Sequence, residues 1–246
     1  MDKTYLSITG LVKHFDKLSV IEDFTLQIGK GEFVCVVGPT GCGKTTLLRC
    51  LMGLTPINAG EILLNGKQLS LTESSVGYIS QEDTLMPWLN ALDNAAFGMK
   101  IRDIPRRERK QAAMDALERL GLNDISKRFP REISASQQKQ VALARALCVK
   151  PEILLMDEPY SQIDSSSRHK LWNELLALKA QTGVTVLFIT HNVEEAVYLA
   201  DRIIVLSDKP IKIKQDIRVS LPYPRNIADE GFIQLREHVT EQIKWW

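Results

Sequence analysis

Five consecutive apolar residues, FVCVV from Phe33, and a second run, ILLM from Ile153 closing on an aspartate, read as strands covered on both faces. VTVLFIT from Val184 and RIIVLS from Arg202 repeat the pattern. Between them the period changes. Lys44 to Gly53 reads as helix, Arg106 to Leu120 has the spacing of an amphipathic helix, and further helices are expected from about Ser166 to Ala180 and from Val193 to Ala200. Short strands are expected at Glu61 to Leu64 and Val76 to Ile79. Residues 4 to 37 are strand-rich, with Val20, Ile21, Phe24, Leu26 and Ile28 ahead of the turn signal Gly29-Lys30-Gly31. The alternation of strands and helices predicts an α/β fold, a mostly parallel sheet flanked by helices, with a separate sheet near the start and a helical middle. Leu221-Pro222-Tyr223-Pro224 breaks the pattern before a final helix with Phe232, Leu235, Val239 and Ile243 on one side.

Composition narrows this little. The 246 residues, 44% hydrophobic and 25% charged, suit one large or two small globular domains and exclude disorder. With 31 basic against 30 acidic residues the net charge is +1, so no bulk attraction to nucleic acid or anionic lipid is expected. Cys35, Cys42, Cys50 and Cys148 show no metal-binding spacing and are expected as buried or half-buried reduced thiols, which suits the cytosol. MDKTYLSITG lacks the apolar run of a signal peptide, so none is expected, and no apolar run reaches the ~18 residues of a membrane span. Work at a membrane would go through a partner.

The chemistry begins at GPTGCGKTT from Gly38, which satisfies G-x-x-x-x-G-K-[ST] between a buried strand and a helix. A phosphate chain needs several N–H groups converging on it, and Gly38, Gly41 and Gly43 let the backbone approach while the helix N-terminus adds its dipole. Lys44 would hold the β- and γ-phosphates and Thr45 would ligate Mg²⁺. The plain alternative is a strand-to-helix turn that happens to contain glycines. In ILLMDEP, Asp157 closes a buried strand at the carboxyl edge of the sheet and fits a metal-anchoring aspartate; Glu158 is suited to orienting or deprotonating water. Without the glycine loop, that pair would read equally as a helix cap or solvent-facing acids. Ser134-Ala135-Ser136-Gln137 has the Ser-x-x-Gln form of a capping box. It either starts a helix or is an altered nucleotide-contacting loop.

In the order of these motifs the chain resembles the ATP-binding cassette (ABC) ATPases over nearly its whole length. The resemblance implies a P-loop NTPase with an antiparallel β subdomain and a helical subdomain: core and β subdomain over about 1–84 and 151–220, helices over about 85–150, and a C-terminal extension over about 221–246. It implies that ATP is cradled by Gly38, Pro39, Thr40, Gly41, Cys42, Gly43, Lys44, Thr45 and Thr46. Phe15 would stack on adenine, and Gln81 would sense Mg²⁺ and the attacking water beside Thr45 and Asp157. Glu158 would complete the hydrolytic set with His191, which would hold the γ-phosphate, and Asp164 would cross a dimer interface. Phe15 also reads as a core or edge-strand aromatic, and His191 as a helix cap.

Family members usually carry Leu-Ser-Gly-Gly-Gln where this chain has Ile133-Ser134-Ala135-Ser136-Gln137. That loop meets ATP held by the opposite subunit, so Ser134 and Gln137 are implied nucleotide contacts. The capping box is compatible with this role, since a capped helix N-terminus is itself an anion site. A Cβ at 135 or 136 crowds the phosphate, and a positive φ there would add roughly 1–2 kcal/mol of strain. One half of a hydrolytic site is intact and the half offered to a partner is altered. A loss of ~1.4 kcal/mol in the transition state slows turnover about tenfold.

TLMPWLNALDNAAFGMKIRDIP, EEAVYLADRIIVLS and LPYPRNIADEGFIQLREHVTEQI resemble the importer ATPases for nitrate, sulfonates and taurine. This implies a peripheral subunit on the cytoplasmic face of the membrane, paired with itself or another ABC ATPase. Its partners would be integral membrane permease subunits and, indirectly, an extracytoplasmic solute-binding protein; no nucleic acid is implied. Met86, Pro87 and Trp88 would touch the permease, although Trp88 also reads as packing within the helical part. Trp245 and Trp246 read as interface anchors or a frayed end. A soluble nucleotide switch of the same fold and a weakly hydrolysing regulatory subunit remain alternatives.

Overall fold

The computed structural model describes residues 4–69, 76–82 and 85–243. They fall into two compact units, Met1–Ser74 with Gly183–Trp246, and Ser75–Thr182. The first unit opens with β1 (Thr4–Phe15), β2 (Leu18–Gly29), β3 (Phe33–Val37), α1 (Lys44–Leu51), β4 (Ala59–Leu64) and the two-residue β5 (Lys67–Gln68). The second holds β6 (Val76–Ile79), α2 (Ala91–Ala95), α3 (Phe97–Ile101), α4 (Arg106–Arg119), α5 (Ala135–Cys148), β7 (Ile153–Asp157) and α6 (Ser165–Thr182). The chain returns to the first unit with β8 (Thr185–Ile189), α7 (Val193–Leu199), β9 (Arg202–Leu206), β10 (Ile213–Arg218) and α8 (Glu230–Ile243).

Two kinds of sheet meet in the first unit. The antiparallel sheet runs β2-β1-β4-β5, and its strands alternate: Leu6, Ile8, Leu26 and Ile28 point inward while Gln27 between them is exposed. In the other sheet β3 lies between β8 and β9, parallel to both, with β10 antiparallel on the edge beyond β9. Every residue of β3 and β8 is buried, which is why both read as continuous apolar runs rather than alternating ones. Phe33 and Phe188 pack with ring centroids 5.9 Å apart. Each such side chain taken from water stabilises the fold by about 1.5–3 kcal/mol. Leu47 and Leu48 of α1 and Phe232 and Val239 of α8 are buried as well.

In the second unit β6 and β7 run parallel, from Val76 beside Ile153 to Ile79 beside Met156. The helical part packs Ala113 and Leu117 of α4 with Val141 and Ala144 of α5, all without exposure. Trp172 of α6 is fully buried, edge-on to His169 at 4.6 Å. The mostly parallel strands, the antiparallel sheet and the helical middle match the expected fold class. β10 is an addition: Ile213 and Ile217 fall on one side of a lysine- and aspartate-bearing strand that covers a sheet edge and is nowhere fully buried. The four cysteines are free and buried, as expected.

Candidate functional site

β3 ends at Val37, and the chain turns through Gly38–Gly43 into α1. The turn uses backbone conformations that favour glycine: φ is +78° at Gly41 and +128° at Gly43. A Cβ on Gly43 would also lie 2.8 Å from Val20 Cγ1, so the position is closed to a side chain twice over. Gly43 is the N-cap of α1, no side chain caps the helix, and its first turn carries no acidic residue. Pro39 and Cys42 are buried, Thr40, Gly41 and Thr45 are exposed, and Thr46 is half-buried. Lys44 is only 5% exposed and curls back to donate from Nζ to the carbonyls of Gly38 (2.9 Å) and Pro39 (2.8 Å). The loop therefore combines a buried cation with an uncapped helix start, the two features an anion of several charges requires. Burial lifts the Cys42 thiol above its usual range although Lys44 pulls the other way.

His191 leaves the same sheet edge. β8 is the parallel neighbour of β3, with Val36 beside Ile189, so the turn after β8 emerges next to the glycine loop. Its shape is set by buried polar contacts: Thr190 Oγ1 donates to Glu195 Oε2 at 2.5 Å and accepts the Asn192 N–H at 2.9 Å. Asn192 Oδ1 accepts the Glu195 N–H and caps α7. The cap is Asn192, which leaves His191 as an exposed side chain on a fixed turn.

The second unit repeats the arrangement. β6 and β7 are parallel neighbours, so Ser80-Gln81 and Asp157-Glu158 leave one carboxyl edge side by side. Asp157 is 4% exposed at the end of β7. Glu158 is half-buried with φ at +44°, a conformation that costs a non-glycine residue about 1–2 kcal/mol. Strain of this kind gathers where a side chain has a task. Gln81 has an exposed side chain, and its carbonyl accepts from Lys139 Nζ at 2.8 Å. Lys139 is buried in α5 and sequence reasoning missed it; the signal was its place on the helical stripe with Leu143 and Ala146.

Ser134 and Gln137 form the expected capping box. Ser134 Oγ accepts the Gln137 N–H at 3.2 Å and Gln137 Oε1 accepts the Ser134 N–H at 2.9 Å. Ala135 and Ser136 are the first two residues of α5 and keep helical backbone. The positive φ that would have strained them is absent, so the altered loop is relaxed.

Phe15 ends β1 opposite Leu18, is 45% exposed, and has Lys13 Nζ 4.6 Å above its ring. It is a strand-end aromatic open to solvent rather than a core residue. Asp164 caps the start of α6, accepting from Ser166 Oγ (2.6 Å) and the Ser167 N–H (3.0 Å); these bonds hold its carboxyl well below the usual range. Trp88 is 71% exposed on a turn pinned by the buried Asn94, whose amide bonds the Met86 N–H and the carbonyls of Met86, Leu89 and Asn90. Packing inside the helical part is thus not its role. Residues 83–84, beside Gln81, and Trp245 and Trp246 lie outside the described residues. Among the described residues no helix is long and apolar enough to cross a membrane.

The family model described as ABC transporter matches residues 21–161. The chain is 38% identical to the aliphatic sulfonates import ATP-binding protein SsuB of Bacillus cereus, over 97% of this chain and 96% of that protein. It is 36% identical to the taurine import ATP-binding protein TauB of Escherichia coli, over the same shares. Among solved structures, a dimeric bacterial ABC transporter cassette is 27% identical with a TM-score of 0.77, matching 88% of this chain and 100% of that one. The same cassette in a post-hydrolysis state bound to ADP and Pi gives 26% and 0.76, with the same coverage.

Proposed function

The chain belongs to the ABC transporter family, and on that premise we propose that it is the ATP-binding and ATP-hydrolysing subunit that energises an importer of a small anion such as nitrate, a sulfonate or taurine. The observation that carries this reading is the uncapped start of α1 with Lys44 buried in its loop. ATP brings phosphate oxygens that compete for the Lys44 ammonium with two loop carbonyls and meet the free N–H groups of the helix. Gly38, Pro39, Thr40, Gly41, Cys42, Gly43, Thr45 and Thr46 form the cradle, and Phe15 offers its exposed ring to the adenine.

Thr45, Gln81 and Asp157 offer a hydroxyl, an amide oxygen and a carboxylate, the hard oxygen donors that suit Mg²⁺. When bound, Mg²⁺ supplies neutralisation of charge on the β- and γ-phosphate oxygens. Glu158, turned out of the strand by its φ, accepts a proton from the attacking water, and Gln81 orients that water. His191, held on the turn after β8, donates to the γ-phosphate. Ser134 and Gln137 face the nucleotide of a second cassette, either another copy of this chain or a related ATPase. Loop 86–90, with Trp88 outermost, meets the integral membrane permease subunits at the cytoplasmic face of the membrane, and an extracytoplasmic solute-binding protein acts through them. The division into a core, a helical part over about 85–150 and a C-terminal extension over about 221–246 belongs to the same reading.

The test is ATP turnover with Glu158→Gln beside the native chain. A loss of about 10²–10⁴-fold with ATP still bound is expected of a missing general base. Equal turnover in the two proteins would remove Glu158 from the reaction.

A further inference from the structure

The segment after Leu221 lies along the whole of α7, and α7 begins two residues after His191. A helix of seven residues has little stability of its own, so what covers it determines where it sits. Its last carbonyls lack partners within the helix. Arg225, 6% exposed, donates from Nη1 to the carbonyls of Val197 (2.7 Å), Tyr198 (3.1 Å) and Ala200 (2.8 Å). Tyr223 Oη donates to the remaining one, Leu199, at 2.7 Å. The Arg225 guanidinium stacks 4.1 Å from the Tyr223 ring centroid, and Nε reaches back to the Leu221 carbonyl at 3.3 Å. Two side chains thus take up four consecutive carbonyls at the C-terminal end of α7. Further along the same segment, Phe232 of α8 packs edge-on against Tyr198 at 6.5 Å, and Arg236 pairs with Glu194 in the first turn at 3.6 Å.

At the opposite end of α7 stands the Asn192 cap, and one residue before it His191. A shift of the helix moves the cap and the turn with it. We propose that Arg225, assisted by Tyr223, is a positioning residue for His191: the LPYPR segment fixes the C-terminal end of α7 and thereby the reach of the histidine at its other end. The proposal rests on the reading that His191 contacts the γ-phosphate. Arginine is required because its planar guanidinium presents several donors at once; a lysine keeps the charge but not the fork.

Steady-state kcat and KM for ATP are measured on the whole chain for Tyr223→Phe, Arg225→Lys, His191→Ala and the double variant Arg225→Lys/His191→Ala, with amide exchange over 193–200 as an independent readout. Tyr223→Phe keeps the stacked ring, removes the Oη contacts to Leu199 O (2.7 Å) and Asp201 Oδ1 (3.4 Å) and serves where Arg225→Lys folds poorly; it is paired with His191→Ala in the same way. Expected are a roughly three- to tenfold fall in kcat for Arg225→Lys with KM within about twofold, faster exchange in α7, and no further loss when the variant is added to His191→Ala. If the loss is as large in the His191→Ala background as in the native one, Arg225 acts only on overall integrity and the proposal fails. Unchanged kcat in Arg225→Lys and Tyr223→Phe also overturns it. If His191→Ala itself turns over normally, the fault lies with the role given to His191, and the positioning role falls with it.

Discussion

Two helices begin at places the sequence marks for phosphate chemistry, and they begin differently. α1 opens from a glycine turn with no side-chain cap and a buried lysine folded over the loop. α5 opens with a reciprocal Ser134–Gln137 cap that satisfies the N–H groups of those two residues. The first end is shaped by glycines at positive φ, open to residues without a Cβ, and its donors are left for a ligand. The second is a relaxed helix start whose Ala135 and Ser136 cost the backbone nothing. An anion of several charges gains most at α1; at α5 it meets a helix start whose Ser134 and Gln137 N–H groups are already bonded.

Lys44→Ala should have the largest effect on this contrast. Loss of charge-assisted bonds of about 1.5–3 kcal/mol predicts ATP binding weakened on the order of 10–100-fold by calorimetry, with the circular dichroism spectrum unchanged. Binding that stays native would mean α1 is not the phosphate site. Gly43→Ala comes next: a Cβ at φ +128° and 2.8 Å from Val20 should cost about 2 kcal/mol, read as a lower melting temperature and weaker ATP binding together. At the other helix, Ser134→Ala should cost about 1 kcal/mol of stability and leave binding of ATP to the isolated chain unchanged. A fall in that binding would show that α5 serves the nucleotide of its own chain.

The smallest effect concerns the thiols beside these helices. Burial raises both Cys42 and Cys148, the latter to about 12 with the negative charge of Asp115 adding to it. A raised thiol holds less thiolate, the form that alkylates, so iodoacetamide at pH 8 should label neither cysteine before the protein is denatured. Fast labelling of Cys42 alone would show that the loop opens in solution.

Legibility from sequence followed the range of the interactions. The glycine loop, the buried strands and the Ser134–Gln137 cap are local, encoded within a few residues of one another, and the structure forms each where the pattern puts it. β10 escaped because Lys214, Asp216 and Arg218 mask a period of two that pays off only at a sheet edge. The exposure of Phe15 and Trp88 depends on which faces the rest of the fold covers. Glu158's positive φ is imposed by the turn at the end of β7, and no residue type announces it. Least legible were Lys139 and Arg225. Both are buried against carbonyls distant in sequence, 58 residues away for Lys139 and 25–28 away for Arg225, whereas the buried Lys44 finds its carbonyls 5 and 6 residues back.

The central claim is that the relaxed Ile133–Gln137 loop works as written. It is tested most directly by steady-state ATP turnover of the chain assembled with the proposed permease subunits, comparing the native loop with Ala135→Gly/Ser136→Gly and taking Glu158→Gln as the blank. The account predicts a native rate far above the blank and a change of less than about tenfold on restoring the glycines, the factor that ~1.4 kcal/mol represents. A native rate equal to the blank, rescued by the two glycines, would contradict it and make the loop a disabled contact.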